Sequence, residues 1–106
     1  MKKDYRGDTF FRSYTIELEN GVYKFQDGDK VLIAFCQYDN ENQLLKEVIP
    51  KSGDTEINVS WSAEEMASLK VGEYVLETEF RTVDFTVTHQ ENVKISEDFI
   101  YGDAEW

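Results

Sequence analysis

Apolar and polar residues alternate with a period of two along most of this chain. Such alternation is typical of β-strands that bury one face and leave the other in water. It is clearest in three segments, Thr9–Glu19, Thr55–Trp61 and Glu73–Arg81. A fourth segment, Lys30–Tyr38, is apolar at both parities, which predicts a strand that is covered on both faces.

Weaker signals complete the strand pattern. Gln43–Ile49 predicts a strand that ends before Pro50, because proline removes a donor from the hydrogen-bond ladder. Near the C-terminus, Phe85–His89 and Val93–Phe99 predict two strands separated by a turn at Gln90–Asn92. The chain therefore carries about seven strand signals separated by turn residues.

One segment, Ser62–Leu69, predicts a short helical turn instead of a strand. Ser62 and Glu65 have the spacing of a capping box, in which each side chain satisfies a backbone N–H at the start of a helix. Met66 and Leu69 lie three residues apart, so they predict one short buried stripe.

Together these signals predict an all-β protein, an immunoglobulin-like antiparallel β-sandwich of about seven strands with one short helical turn. The alternative is a small antiparallel barrel. The 106 residues are predicted to form a single domain, 1–106, with a core over about residues 6–99 and a tail over 100–106. The predicted core closes around Tyr14, Ile33, Trp61, Leu76 and Val87.

The charge balance argues against two classes of partner. The chain has 22 Asp and Glu residues against 11 Lys and Arg residues, which gives a formal net charge of −11. Binding to nucleic acid and docking on an anionic membrane both need clustered basic residues, so neither is expected. No apolar run approaches the roughly 20 residues of a membrane span, and no signal peptide is recognisable, so synthesis in the cytoplasm is expected.

The residue types that carry catalysis are sparse, and we expect no enzymatic activity and no cofactor. Cys36 and His89 are the one cysteine and the one histidine of the chain. Cys36 lies in an apolar run and is predicted to be a small buried side chain, and His89 is predicted to lie in the core or at its rim. Glu77 and Glu79 share one strand face, but pairs of this kind arise by chance in a chain with 22 acidic residues, so an exposed acidic face explains them better than a catalytic pair does. Loop oxygens offer a weaker calcium hypothesis, on Asp27, Asp29, Asp39, Asn40, Glu41 and Asn42.

Aromatic residues whose burial the pattern does not decide are the candidates for a contact surface. Each of them is as compatible with packing in the core as with contact to a partner. These residues are Phe11, Tyr23, Phe25, Tyr101 and Trp106.

Two segments carry a resemblance to a known family. Arg6-Gly7-Asp8-Thr9 opens the first strand, and Val59–Tyr74 runs from a strand through the helical turn to a Gly-Glu-Tyr that opens the next strand. This arrangement resembles the immunoglobulin-like modules of bacteriophage tail and baseplate proteins, and it is similar to the N-terminal domain of upper baseplate proteins. The resemblance implies a phage or prophage assembly module without catalytic residues, associated with the virion and contacting other tail proteins or copies of itself as a homo-oligomer.

The sequence is also compatible with a ligand-binding function. A carbohydrate-binding or adhesion module could use the same sandwich. It would need two or three exposed aromatic rings in line, spaced to stack on sugar rings.

Overall fold

The structure is a computed structural model, and it describes residues 4–5, 9–37 and 42–96. The described elements, in chain order, are β1 (Asp4–Tyr5), β2 (Phe10–Tyr14), β3 (Glu17–Leu18), β4 (Gly21–Val22), β5 (Lys30–Cys36), β6 (Asn42–Val48), β7 (Ile57–Trp61), α1 (Ala63–Ala67), β8 (Gly72–Arg81) and β9 (Thr86–Ser96).

The larger sheet has five strands in the order β1-β9-β8-β5-β6. Its pairings are antiparallel except that between β1 and β9, which is parallel. A second sheet consists of β2 and β7, paired antiparallel, and β3 and β4 form a short hairpin. The chain thus has the all-β, antiparallel, sandwich-like architecture that the period-two pattern predicted.

The core lies between the two sheets, and its centre is aromatic. Alternate residues of β7, from Ile57 to Trp61, point inward, as predicted. The Trp61 ring is fully buried, and its centroid lies 5.5 Å from that of Phe10 and 5.2 Å from that of Phe35. Both pairs meet edge to face, which is the favoured geometry for aromatic rings. Because Trp61 belongs to the second sheet and Phe35 to the first, the contact between these two rings joins the layers.

A β-bulge in β6 satisfies the one polar atom of this aromatic cluster. The register between β5 and β6 shifts between Ile33 and Phe35, and Leu44 has a φ of 52°, which is unusual for a residue with a side chain. The Leu44 carbonyl oxygen accepts a hydrogen bond of 2.9 Å from the Trp61 indole nitrogen. The bulge therefore supplies the acceptor that a buried indole N–H needs.

Helix α1 begins at the predicted capping box. The Ser62 hydroxyl accepts from the Glu65 backbone N–H at 3.1 Å, and a Glu65 carboxylate oxygen accepts from the Ser62 N–H at 2.9 Å. The hydrogen bond from the Ser62 backbone, together with the Lys46 ammonium 2.9 Å away, lowers the pKa of Glu65. Met66 and Leu69 are fully buried, which confirms the predicted stripe.

Replacing Ser62 with alanine is expected to lower the free energy of unfolding by about 1 kcal/mol, because a backbone donor at the helix start loses its acceptor. Urea titrations of the variant and the parent chain will measure this loss. Ser52→Ala, which removes an exposed hydroxyl in the turn before β7, is the matched control. An equal loss in both variants would contradict the assigned role of the cap.

The last strand differs from the sequence prediction. A turn was predicted at Gln90–Asn92, but β9 runs unbroken through these residues and pairs with β8 from Arg81↔Thr86 to Gly72↔Ile95. The Gln90 amide also donates to the Glu77 carboxylate across the pair at 2.9 Å. Pairing with the ten-residue strand β8 outweighs the local preference of polar residues for a turn.

Two further predictions about the ends of strands were wrong. The first predicted strand, Thr9–Glu19, is divided into β2 and β3, and Leu18 near its end is exposed. Val87 was predicted in the core, but it is 42% exposed and His89 is exposed as well. Both face the second sheet, which has only two strands among the described residues and leaves that end of β9 uncovered.

Candidate interaction surface

The outer side of the second sheet carries an exposed aromatic ring among small polar side chains. Alternation along β2 turns Phe10 inward and Phe11 outward, where Phe11 lies opposite Ser60 and Ser13 lies opposite Asn58. Phe11 is 66% exposed, and its three neighbours on this side are exposed as well. We call the surface formed by Phe11, Ser13, Asn58 and Ser60 the Phe11 face.

The Phe11 face is uncharged in a strongly acidic chain. None of its four side chains ionises, whereas the whole chain has a net charge of −11. The Ser13 hydroxyl donates to the Asn58 side-chain oxygen across the strand pair. Protein interfaces are depleted of charge at their centre and enriched in aromatic residues, and this surface has both properties.

The other predicted contact residues have different positions. Tyr23 and Phe25 are core residues, only 7% and 1% exposed, so of the two alternatives that the pattern left open they show packing in the core. The segment that carries them lies against the turn before β7, where the Phe25 N–H donates to the Asp54 carbonyl at 2.8 Å and the Gly53 N–H donates to the Phe25 carbonyl at 2.7 Å. Tyr101 and Trp106 lie outside the described residues.

A buried carboxylate lies beneath the segment that carries Tyr23. Asp29 is 1% exposed, and its Oδ2 atom accepts from the Tyr23 hydroxyl at 2.8 Å and from the Gln26 N–H at 2.9 Å. Its Oδ1 atom accepts from the Val83 N–H at 2.8 Å. Burial raises the pKa of this carboxyl, but the three hydrogen bonds together outweigh burial and hold the pKa below its ordinary value.

The Asp29 network is a structural feature that sequence reasoning missed. Both oxygens accept from groups of the protein, so the carboxylate ties the loop before β5 to the turn between β8 and β9. Asp29 shares its parity with the buried residues Val31 and Ile33, and that signal in the sequence indicated an inward side chain. The calcium hypothesis had included Asp29, whereas the structure gives its oxygens structural partners.

A polar cluster lies between the sheets where β2 crosses β9. The Arg12 guanidinium donates to both carboxylate oxygens of Glu91, at 3.1 and 2.8 Å, and lies 4.2 Å from the centroid of Phe10. The Tyr14 hydroxyl accepts from the fully buried Thr78 hydroxyl at 3.0 Å. These hydrogen bonds connect β2 of the second sheet to β8 and β9 of the larger sheet, so the cluster has a structural role.

The surroundings of Tyr14 in this cluster raise the pKa of its phenol, and burial is the largest cause. Burial raises the pKa of the Tyr14 phenol, and Glu91 raises it further, while the Thr78 hydrogen bond and Arg12 oppose these effects. The His89 ring lies edge to face against Tyr14, with centroids 6.0 Å apart.

Cys36 is half-buried, not buried as predicted. Cys36 is the last residue of β5, and its sulfur lies 3.1 Å from the side-chain oxygen of Asn42, the first residue of β6. Burial, with a smaller contribution from the Glu77 carboxylate, raises the pKa of the Cys36 thiol. A thiol with a raised pKa stays protonated at neutral pH and is a poor nucleophile.

The acidic residues that were considered for chemistry are engaged in pairs on the sheet surface. Glu77 accepts from Gln90, and Glu79 pairs with Arg81. Within the described ranges, no group of three or more His, Cys, Asp or Glu residues is arranged to hold a metal ion. Asp39, Asn40 and Glu41 of the calcium hypothesis lie outside those ranges. In the same part of the chain, no helix has the length and apolar character needed to cross a bilayer.

Comparison with known proteins finds no relative: no family model matches the chain, and no curated protein or solved structure matches it either.

Proposed function

We propose that this chain is a non-catalytic module that assembles with other proteins through the Phe11 face. The observation that carries the proposal is the exposure of Phe11, which is 66% exposed on an uncharged sheet surface. An aromatic anchor surrounded by small polar groups is the anatomy of a protein–protein contact.

The buried polar groups of the described residues have structural roles. The buried carboxylate of Asp29 and the buried hydroxyl of Thr78 are both engaged in hydrogen bonds that hold the fold. Among the described residues, no buried side-chain nitrogen or oxygen lacks a hydrogen-bond partner. A catalytic site usually contains groups that are held ready for a substrate, and these groups are committed to the structure.

The finer part of the proposal is a place in a phage or prophage tail or baseplate. It is supported by the resemblance carried by Arg6–Thr9 and Val59–Tyr74. In this role the high negative charge keeps the free subunit soluble, and the uncharged Phe11 face is the part that docks on a neighbouring tail protein.

The carbohydrate-binding alternative receives less support from the aromatic residues. Of those whose side chains the structure describes, Phe11 alone is exposed, whereas Tyr23 and Tyr74 are buried and Tyr14 is half-buried. A single ring does not make the flat row that stacking on successive sugar rings needs.

Replacing Phe11 with alanine is expected to weaken binding to the partner at least tenfold, because truncating a central aromatic anchor costs about 2 kcal/mol or more. The probes are the purified products of the genes on either side of the gene for this chain, titrated by calorimetry. Ile49→Ala is the matched control, because Ile49 is 64% exposed and directly follows β6, a strand of the other sheet.

Each result of this titration has a definite consequence. Neighbouring tail proteins that bind the parent chain and Ile49→Ala, but bind Phe11→Ala at least tenfold more weakly, would support the proposal. Equal binding by all three chains would overturn the assignment of the Phe11 face. Neighbouring genes for sugar metabolism, together with binding to polysaccharide, would overturn the assembly role.

A further inference from the structure

One edge of the larger sheet is open over most of its length. β9 is the longest described strand, with eleven residues, and Thr86–Ile95 pair with β8 on one side. On its other side β1 pairs with Ile95 and Ser96 only. Among the described residues, Thr86–Lys94 therefore has no strand beside it, and its outward N–H and C=O groups form a template for a further strand.

The opposite edge of the same sheet is protected, and the β9 edge is not. In β6 a bulge at Leu44 breaks the register, and Lys46 and Glu47 place charges on the edge. Bulges and edge charges are the usual devices against pairing with another chain. The register of β9 on β8 has no shift, and Thr86–Gln90 contains no proline, glycine or charged residue.

The charge distribution favours a second copy of this chain as the occupant. Two molecules that each have a net charge of −11 repel each other wherever their carboxylates meet. The first charge after Thr86 on this edge is Glu91, and the Arg12 guanidinium neutralises it at 2.8 Å. A contact over Thr86–Gln90 brings two copies together where neither carries an unpaired carboxylate.

We propose that two copies of this chain pair antiparallel through their β9 edges, with the twofold axis at Thr88. This register places Val87, which is 42% exposed, opposite the partner's His89 and continues the larger sheet across the axis. The inference rests on the proposed assembly function and adds a second copy of this chain as a partner. A standard protein–protein interface buries about 1,600 Å² of accessible surface, and pairing over so few residues buries less. The dimer is therefore expected to be reversible and concentration-dependent.

The test places matched charges at the axis. Thr88 is exposed and lies opposite its own copy, so Thr88→Lys and Thr88→Glu each set like charges against each other. Light scattering over a concentration series should show the parent chain approaching twice the monomer mass and each variant remaining monomeric. An equimolar mixture of the two variants should dimerise again, because lysine then faces glutamate. Thr55→Lys and Thr55→Glu, at an exposed loop position, make the same changes in net charge and should leave the dimer intact.

The possible outcomes separate this inference from the proposed function. A parent chain that stays monomeric at every concentration would overturn the inference, and so would a dimer that survives both Thr88 variants. If the chain dimerises only after it is cut after Ser96, the β9 edge of the uncut chain is covered by its own residues 97–106. That result would also overturn the inference. Because Phe11 lies on the other sheet, Phe11→Ala should leave the dimer unchanged, so binding through the Phe11 face stands or fails separately.

Discussion

Replacing Trp61 with alanine is expected to lower the free energy of unfolding by about 3–5 kcal/mol, the largest loss of any single substitution considered for this chain. The Trp61 side chain is fully buried and contacts the rings of Phe10 and Phe35 in the two facing sheets. Alanine leaves a cavity between the layers and removes the hydrogen bond from the indole N–H to the Leu44 carbonyl. A domain of this size has a stability of about 5–15 kcal/mol, so the loss takes a large share of it.

Trp61→Phe separates the cavity from the hydrogen bond and is useful if the alanine variant does not fold. It keeps an aromatic ring between the sheets and removes the indole N–H, so a loss of about 1–2 kcal/mol is expected. Urea unfolding followed by circular dichroism will measure both variants. A loss below 1 kcal/mol for the alanine variant would show that the core does not depend on this ring.

The parts of the fold that the sequence predicts are those in which each residue's position depends on its immediate neighbours. The inward side of β7 follows from alternation that ends at Trp61, and the cap at Ser62 follows from a spacing of three residues to Glu65. In each case the strand period or the helix geometry decides the result without information from distant segments.

The errors lie where a distant segment decides the structure. Gln90–Asn92 have the composition of a turn, yet they form the middle of β9 because β8 is long enough to pair with all of them. Tyr23 and Phe25 stand in a loop of uncertain burial, and they enter the core because the turn at Gly53–Asp54 hydrogen-bonds to that loop. Val87 has the alternation of a core residue, and it is exposed because the facing sheet is narrow. Sequence periodicity contains no information on the width of the facing layer.

Replacing Asp29 with asparagine is expected to lower the free energy of unfolding by about 3 kcal/mol at neutral pH. Both carboxylate oxygens accept from donors: Oδ1 from the Val83 N–H and Oδ2 from the Tyr23 hydroxyl and the Gln26 N–H. An asparagine amide has only one acceptor oxygen, so its NH₂ group faces a donor in either orientation. A donor at one of the two positions therefore loses its acceptor. The hydrogen bonding between this loop and the turn after β8 is weakened.

The effect of this substitution should depend on pH, with a sign that the depressed pKa fixes. Because the pKa of Asp29 is lower in the folded chain than in the unfolded one, its contribution to stability is fully present above the unfolded value of about 3.9. That contribution is lost as the pH falls through the pKa of Asp29 in the folded chain. The difference in the free energy of unfolding between the parent chain and Asp29→Asn should therefore become smaller in acid. Urea titrations from neutral pH downward will measure the gap, with Asp27→Asn, an exposed neighbour, as the control expected to stay within about 0.5 kcal/mol of the parent. A gap that is small at neutral pH, or constant as the pH falls, would show that the Asp29 carboxylate does not hold the loop.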